Sequence, residues 1–475
     1  MSGATPAAVK SAPAPARGSD AAALQTRFLE GLELQRAGKL PQAFEIYKEI
    51  RARAPRHFDA AHMLGVVLQQ AGQNAPAAAA LAEAIALNPR NAAAHYNRGL
   101  ALQGLRQFGP AIDEYCIAIA LDPDYPSAYT NLGNIYRETN RCAEALAAYA
   151  TSLRLRPDHP GTLVNAGLCY LKVGDYPTGL AHYEARWRDA PSRQQAGAND
   201  HPGPRWQAGM AVAGKTVLLH SEQGLGDTLQ FCRYAVLAAR AGARVLLEVP
   251  KRLVSLLGCL EGVSAVIEKG QTLPAHDLQC PLLSLPAVFG TTVNTVPALT
   301  GYLRAAPDRV TAWRARLGPA RGPRIGLVWN GGPDHKDDRS RSMRLADLLP
   351  WLPAGGDYVS LQKEVREVDR PVLAGRPDIR HYGDEQHDFS DAAALCALMD
   401  VVVSVDTSVA HLAAALARPT WIPLAFSPDW RWLLGRADSP WYPTARLYRQ
   451  VRMDDWSTPL SRLRDDLAAF LQAPR

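Results

Sequence analysis

One strand–turn–helix segment near the C-terminal end of the chain has the residue types of an anion site. The β-branched run at 401–405 breaks into Asp406, Thr407, Ser408 and Val409, and an alanine-rich helical pattern follows. The first amides of a helix have no internal acceptor and carry the positive end of its dipole, so we expect a phosphate to bind there. Asp406 would then face a hydroxyl-rich ligand. The alternative is that Asp406 or Thr407 merely caps the helix.

A second segment of the same kind lies upstream and adds a carboxylate. The apolar run at 216–219 leads into a turn with Gly224 and Gly226, and a helical pattern begins at Asp227. Glycine permits positive φ angles and close approach of a ligand to the backbone. The Asp227 carboxylate could take the proton of an attacking hydroxyl, with Glu222 as the second candidate base, or it could cap the helix. Two such turns predict two nucleotide-binding halves that face each other across a cleft.

Together the two turns resemble a family of glycosyltransferases. Gly-Asp-Thr-Leu at 226–229 and Asp-Thr-Ser-Val-Ala-His-Leu at 406–412 are similar to motifs of the ADP-heptose lipopolysaccharide heptosyltransferases, over about residues 214–450. The resemblance implies an inverting enzyme of the GT-B fold in which Asp227 is the candidate general base. It also implies that the second motif holds the diphosphate and sugar of the donor, through Asp406, Thr407, Ser408 and His411.

Two departures from that family bear on the ligands. Ser408 stands where the family usually has glycine, which alters the closest approach of the backbone to a phosphate. The first α/β half, about residues 214–307, is short for a lipopolysaccharide heptosyltransferase, whose acceptor site lies in that half. The identity of the acceptor therefore does not follow from the resemblance.

Further candidates for the donor site lie on loops of the second half. A glycine-bearing, charged loop at 329–342 follows a strand pattern, and Lys336 in it could neutralise a donor phosphate. A fixed cation there would stabilise the departing nucleoside diphosphate more than the substrate. Arg339 and Arg341 are rival candidates, and the alternative is a solvated loop whose charges pair with one another. Gln362, at the end of a later strand, is a candidate contact to the nucleobase.

The order of strand and helix patterns predicts parallel sheets. Apolar or β-branched runs alternate with helical patterns, as in parallel α/β folds. The predicted strands are 216–219, 244–249, 265–268, 324–329, 358–362, 379–382, 401–405 and 421–424. Residues 454–473 predict a closing helix, which in GT-B enzymes often crosses back to the first half. Trp430, Trp432 and Trp441 are expected to pack between the halves rather than to stack on a ligand.

The first part of the chain is a repeat array. Five glycines and four prolines recur every 34 residues, which predicts tetratricopeptide repeats, each a hairpin of two helices. These are Gly31, Gly65, Gly99, Gly133, Gly167, Pro55, Pro89, Pro123 and Pro157. Stacked hairpins leave a concave groove, which usually binds peptide. The last unit could instead dock against the following domain through Arg186 and Trp187.

Composition narrows the classes of protein and of partner that remain. The 475 residues predict about three domains, and 47% apolar residues are ordinary for a globular protein. The net charge of +6 is modest and dispersed, so we expect no nucleic acid partner. Seven scattered cysteines predict reduced, mostly buried thiols, and no residue cluster has metal-ligand spacing, so we expect no metal and no cofactor. Because no segment is typical of a membrane span or a signal peptide, we expect a cytoplasmic protein.

These patterns predict an α-solenoid followed by an α/β GT-B fold of two Rossmann-like halves. The expected parts are a disordered leader at 1–20, tetratricopeptide repeats at 21–188, a linker at 189–213, an acceptor-side half at 214–320 and a donor-side half at 321–475. The candidate site comprises Asp227 as the base, with donor residues Lys336, Gln362, Asp406, Thr407, Ser408, Val409 and His411. Its acceptor and loop candidates are Glu222, Gly224, Gly226 and Arg341.

The expected function is that of an inverting, metal-independent glycosyltransferase with a nucleotide-sugar donor. A protein or peptide acceptor would be bound by the repeat groove, an arrangement that also resembles the O-linked N-acetylglucosaminyltransferases. Two alternatives stay open. One is a non-catalytic repeat scaffold with a degenerate glycosyltransferase part, and the other is a transferase acting on a saccharide or lipopolysaccharide.

Overall fold

The structure is a computed structural model that describes residues 17–188, 193, 201–333 and 338–473. Most of the predicted leader and of the predicted linker therefore lies outside the described residues. The chain divides into two compact units, one of Met1–Ile135 and Ala150–Pro157, the other of Tyr136–Tyr149 and Asp158–Arg475.

The described part of the repeat region consists of helices arranged as successive hairpins. Their bounds are α1 Arg17–Arg36, α2 Leu40–Arg53, α3 Phe58–Gln70, α4 Asn74–Leu87, α5 Ala92–Gly104, α6 Phe108–Leu121, α7 Pro126–Glu138, α8 Cys142–Leu155, α9 Pro160–Val173 and α10 Tyr176–Tyr183. A 3-10 turn, Glu184–Trp187, follows α10. The predicted helical repeats are confirmed.

The glycine period has a packing cause. A Cβ on Gly99 would come 2.6 Å from Cε1 of Tyr115, a fully buried ring on the partner helix of the hairpin. Gly65 meets Leu81 in the same way. The hairpins of Gly31, Gly65 and Gly99 therefore pair an absent side chain on the first helix with a large one on the second, which explains why both positions keep one period.

The first α/β half contains a parallel sheet of four strands in the order β3-β2-β1-β4. The strands are β1 Thr216–His220, β2 Arg244–Val249, β3 Val263–Glu268 and β4 Leu278–Pro281. The helices of this half are α11 Leu225–Phe231, α12 Arg233–Arg240, α13 Lys251–Leu257 and α14 Leu285–Val288. Val217, Leu218 and Leu219 of the central strand β1 are fully buried, as expected for a strand covered on both faces.

The second half contains a parallel sheet of six strands in the order β10-β9-β8-β5-β6-β7. The strands are β5 Arg324–Val328, β6 Asp357–Ser360, β7 Arg380–His381, β8 Val401–Ser404, β9 Thr420–Leu424 and β10 Ala445–Arg449. The helices are α15 Pro307–Leu317, α16 Asp338–Arg341, α17 Leu345–Leu348, α18 Arg370–Ala374, α19 Phe389–Ala397, α20 Ser408–Ala415 and α21 Ser457–Gln472. The predicted combination of a helical array with parallel α/β sheets is confirmed.

The closing helix α21 lies on the sheet of its own half. It packs against β9 and β10, and Leu460, Leu463 and Leu467 are buried in one apolar cluster with Ile325 of β5. The prediction of a helix at this place is confirmed, and its main contacts are with the second half.

Among the described residues, no helix is both long and apolar enough to cross a membrane.

The hairpin α9–α10 belongs to the same compact unit as the two sheets. Tyr176 accepts a hydrogen bond from Trp441 Nε1 at 2.9 Å, and Lys172 donates to Ser427 Oγ at 2.7 Å. The Arg186 guanidinium, 2% exposed, donates to both carboxylate oxygens of Glu222. The expected docking of the last repeat against the following domain is confirmed.

Candidate functional site

The structure brings the two glycine- and aspartate-containing turns together. Each turn follows the carboxyl end of a parallel strand, β1 in the first half and β8 in the second, and the helices α11 and α20 then pack against each other. The contact is close, since a Cβ on Gly226 would come 2.9 Å from His411 Cδ2 and 3.5 Å from Ser408 Cα. Carboxyl edges of parallel sheets are where ligands bind in α/β folds.

Asp227 is held through both carboxylate oxygens. Oδ2 accepts a hydrogen bond of 2.8 Å from the backbone N–H of Gly224, so the side chain caps α11 as one of the two alternatives expected. Oδ1 is paired with the guanidinium of Arg431. The side chain of Asp227 keeps 19% of its surface exposed. A carboxylate has about four lone-pair sites, so these two contacts leave room for the proton of a hydroxyl.

Arg431 is a site residue that the sequence patterns did not single out. It lies in a 3-10 turn, Trp430–Trp432, and also pairs with Asp429, with 2.8 Å between Nη1 and Oδ1. Its guanidinium lies 5.2 Å from the ring centre of Phe231. The sequence signal that could have found it is an arginine between two tryptophans. Aromatic rings often surround an arginine whose charge is paired in the interior of a protein.

The start of α20 is open in the way that an anion site requires. Thr407 has extended backbone angles, φ −142° and ψ 171°, and its side chain makes no capping hydrogen bond to the helix. Its hydroxyl instead bonds Ser404 Oγ at 3.0 Å. Ser408 and Val409 are partly exposed. The alternative in which Thr407 caps the helix is therefore not what the structure contains.

Asp406 lies among charged and aromatic groups beside that helix start. Burial raises its pKa to about 6, the negative charge of Asp429 adds to the shift, and the positive charges of Arg341 and Arg431 offset it in part. Arg341 Nη1 also donates to the backbone carbonyl of Asp406 at 3.0 Å. The nearest histidine, His411, has Nε2 3.8 Å from Asp406 Oδ1.

His411 has the environment of an orienting residue. Burial, followed by the charge of Arg431, lowers its pKa to about 3, so the imidazole is neutral near pH 7. Nδ1 is 3.0 Å from the hydroxyl of Tyr442, and the ring stacks on Trp432 at 5.4 Å between centres. These contacts fix the ring against Gly226.

Gln362 belongs to a buried hydrogen-bond network with Asn330 and Asp369. Its Nε2 donates to the backbone O and to Oδ1 of Asn330, at 3.1 and 2.8 Å, and Asn330 Nδ2 donates to Asp369 at 3.3 Å. The remaining amide oxygen of Gln362 is buried and has no hydrogen-bond partner among the described residues. Its contact with a nucleobase stays a prediction.

Two other candidates have separate outcomes. Lys336 lies outside the described residues, so the structure leaves its expected role untouched. Glu222 is 1% exposed, with both oxygens bonded to Arg186 and Oε1 also accepting from Leu283 N at 3.1 Å. That geometry is of an interface ion pair and argues against Glu222 as the base.

The tryptophans of the aromatic stretch pack as expected. Trp432 and Trp441 are fully buried and Trp430 is 5% exposed. Trp430 lies edge-on to Trp441 at 5.9 Å and is parallel to Phe231 at 6.3 Å, with both distances measured between ring centres.

Across the part of the chain that the structure describes, no group of three or more His, Cys, Asp or Glu side chains is placed to hold a metal ion.

Comparison with known families agrees with this architecture. A family model described as tetratricopeptide repeat matches residues 62–126, 102–160 and 130–193. The helical array consists of tetratricopeptide repeats. A second model, described as glycosyltransferase family 9 (heptosyltransferase), matches residues 386–422, a stretch that contains α19, β8 and α20. The predicted resemblance, repeats followed by a heptosyltransferase-like region, is confirmed.

Individual proteins match over parts of the chain. Protein FlbA of Caulobacter vibrioides is 26% identical over 317 residues, 61% of this chain and 52% of FlbA, so the chain spans about half the length of that relative. PilF of Pseudomonas aeruginosa is 23% identical and covers 38% of this chain and 80% of its own, with a TM-score of 0.34. A tetratricopeptide-repeat protein of Thermus thermophilus is 21% identical, covering 36% of this chain and 94% of its own, with a TM-score of 0.32.

Proposed function

We propose that the chain is an inverting glycosyltransferase that moves a sugar from a nucleotide-sugar to a protein acceptor recruited by the repeats. The observation that carries the proposal is the contact between Gly226 and His411, because it sets Asp227 beside the open start of α20. A carboxylate next to an anion-binding helix start is the pair of groups that this transfer needs.

The proposed binding of the donor rests on the start of α20 and on Arg341. The N–H groups at a helix start and the dipole behind them favour a diphosphate. The guanidinium of Arg341 is anchored on the carbonyl of Asp406, and its buried Nε has no acceptor among the described residues. In our proposal that donor and Lys336 meet the phosphate charge, so that transfer needs no metal ion.

The chemical step assigns one task to Asp227. The acceptor hydroxyl attacks the anomeric carbon from the face opposite the diphosphate, and a new C–O bond forms with inversion. Asp227 takes the hydroxyl proton, while the electron pair of the broken glycosidic bond goes to the diphosphate oxygen. Positive groups at α20 then stabilise the extra charge of the leaving nucleoside diphosphate.

The proposed recruitment of a protein acceptor rests on the repeats. Tetratricopeptide arrays present extended concave surfaces that bind other proteins. Holding an acceptor segment there raises its effective concentration at a site in the same chain. A saccharide acceptor is the second candidate, because the matched family model carries the description heptosyltransferase.

Donor binding is tested by calorimetric titration of the full chain with ADP, GDP and UDP. We expect one of them to bind the wild type and to bind Asp406→Ala or Arg341→Ala more weakly. Asp465→Asn, an exposed residue paired with Arg464, is the matched control and should bind like the wild type. If none of the three binds, the scaffold alternative is favoured.

Transfer is tested with radiolabelled nucleotide-sugars and a lysate of the source cells as the acceptor pool. Label in protease-sensitive material supports a protein acceptor, and label in lipid or free saccharide supports the second candidate. Asp227→Asn should lower transfer by about 10² to 10⁴, the usual contribution of a positioned base, while Asp465→Asn should not. Full activity in Asp227→Asn would contradict the assigned base.

A further inference from the structure

Arg431 is a buried cation shared by two carboxylates that come from different halves of the α/β region. Nη2 pairs with Asp227 on α11, and Nη1 pairs with Asp429 beside its own turn. The side chain is 8% exposed, and Asp429 also accepts from the backbone N–H of Arg431 at 3.0 Å. Although burial raises the pKa of Asp429, the charge and hydrogen bonds of Arg431 outweigh it and lower that pKa.

We infer that Arg431 positions the carboxylate of Asp227 for proton transfer and that Asp429 fixes the guanidinium in turn. This inference rests on the proposed function, because it takes Asp227 as the general base. It assigns to Arg431 a positioning role, not contact with the donor or the acceptor.

The orientation of Asp227 is set by two contacts, one to each oxygen of its carboxylate. The Gly224 N–H binds Oδ2, which ties the group to its own helix start, and Arg431 binds Oδ1. With only the first contact the side chain could still rotate about the bond that carries the carboxylate. The guanidinium removes that freedom, and a base held in one orientation is the condition for efficient proton transfer.

The guanidinium itself has little freedom to move. Phe231 and Trp430 lie 5.2 and 4.9 Å from it, measured to the ring centres, and Asp429 occupies its other nitrogen. Arg449 donates to the carbonyls of Trp432 and Leu433, which ties the end of the turn to β10. The positioning contact is therefore built on a fixed segment rather than on an exposed loop.

A buried ion pair of this kind is a poor source of stability. Desolvation of the charges offsets most of their attraction, and apolar side chains of similar size often stabilise a fold as well or better. What the charged pair supplies instead is a directed hydrogen-bond donor that an apolar group cannot replace.

The competing assignment is that Arg431 binds the donor diphosphate directly. Its Nε is buried without an acceptor among the described residues, so a spare N–H exists. The two assignments differ in what they predict for ligand binding, and the experiment is built on that difference.

The test compares Arg431→Gln, Arg431→Lys and Asp227→Asn in the full chain. At saturating donor, we expect Arg431→Gln to lower turnover by about 10² to 10⁴, as Asp227→Asn does, with affinity for the nucleoside diphosphate that binds the wild type kept within about twofold. Arg431→Lys keeps the charge and should recover about tenfold or more of that loss. A fall in nucleoside diphosphate affinity with saturated turnover unchanged would overturn the inference in favour of direct donor binding.

A double-mutant cycle separates this inference from the proposed function. Thermal unfolding of Asp227→Asn, Arg431→Gln and the double variant needs no substrate. If the two residues act as a unit, the melting temperature of the double variant falls by less than the sum of the single losses. Additive losses would overturn the inference even in an active enzyme. If the cycle shows coupling but the wild type binds no nucleoside diphosphate, the result counts against the proposed function and leaves the Asp227–Arg431 contact standing. Should Arg431→Gln not fold, Arg431→Met, which also removes the charge but fills a similar volume, takes its place in the cycle.

Discussion

Gly226 lies against the imidazole of His411 with no room for a side chain between them. A Cβ at 226 would come 2.9 Å from Cδ2 of that ring, and the ring cannot retreat because Tyr442 and Trp432 hold it. At this contact between the two halves of the α/β region, only glycine leaves enough space for the imidazole.

Gly226→Ala is therefore expected to destabilise the protein. Alanine is favoured over glycine in a helix by about 1 kcal/mol, but overpacking against a fixed ring costs about 1–3 kcal/mol, so we expect a net loss of about 1 kcal/mol in the free energy of unfolding. Nucleotide affinity should fall as α11 and α20 move apart. Gly109→Ala, also within a helix but outside the site, is the control, since among the described residues nothing crowds the Cβ it would add within 4 Å. Urea denaturation that finds both variants alike would contradict this packing account.

Breaking the ion pair between Arg186 and Glu222 should be costly. Both side chains are almost fully buried, so Arg186→Ala leaves an uncompensated carboxylate and is expected to lower the free energy of unfolding by about 3–5 kcal/mol. Replacing both partners, in Arg186→Met with Glu222→Leu, should recover most of that loss. Arg188→Ala breaks an exposed pair with Asp158 and should change stability by about 0.5 kcal/mol or less. Equal losses in Arg186→Ala and Arg188→Ala would contradict the prediction.

Asp406 gives stability a pH dependence with a definite sign. Its pKa is raised from an ordinary value near 3.8 to about 6, so the folded state binds a proton that the unfolded state has released between these pH values. The contribution to stability is present below about pH 4 and is lost as the pH rises through about 6. Asp406→Asn should be more stable than the wild type at pH 7.5, on the order of 1–3 kcal/mol, and the difference should vanish near pH 4. A variant less stable than the wild type at about pH 7.5 would refute this.

Turnover is expected to survive chelation. In our proposal the phosphate charge is met by Arg341, Lys336 and the start of α20, so excess EDTA should leave the initial rate of transfer unchanged. Circular dichroism in the same buffer checks that the fold persists. Loss of transfer that magnesium or manganese restores would contradict the metal-free assignment.

Local patterns predicted most of the fold. The repeats were readable because each glycine has its large partner 16 residues later within one hairpin, as with Gly99 and Tyr115. Eight strands were predicted from apolar runs. Missing were β4, Leu278–Pro281, which is short and ends in proline, and β10, Ala445–Arg449, in which two of the five residues are arginine. Edge strands with such sequences lack the continuous apolar run of a central parallel strand.

The candidate site was readable only where it is local. A strand that ends in Asp406 and runs into a helix, or a glycine turn that ends in Asp227, carries its meaning within a dozen residues. Arg431 is different, because its partner Asp227 lies 204 residues away in the sequence. The same holds for the pairing of Glu222 with Arg186, which turned a candidate base into an interface residue. Such roles depend on which segments the fold brings together, and no spacing rule encodes that.

The docked hairpin α9–α10 has a consequence for how such chains can be recombined. Because its side chains bond to the α/β region, as Asn140 of the fourth hairpin also does, a graft that exchanges repeat arrays should retain the chain from Pro126 onward and replace only what precedes it. The first three repeats are then free to diverge in number and surface, while the fifth must change together with Glu222 and Trp441. Sequence change can thus accumulate at one end of the gene without disturbing the fold encoded at the other.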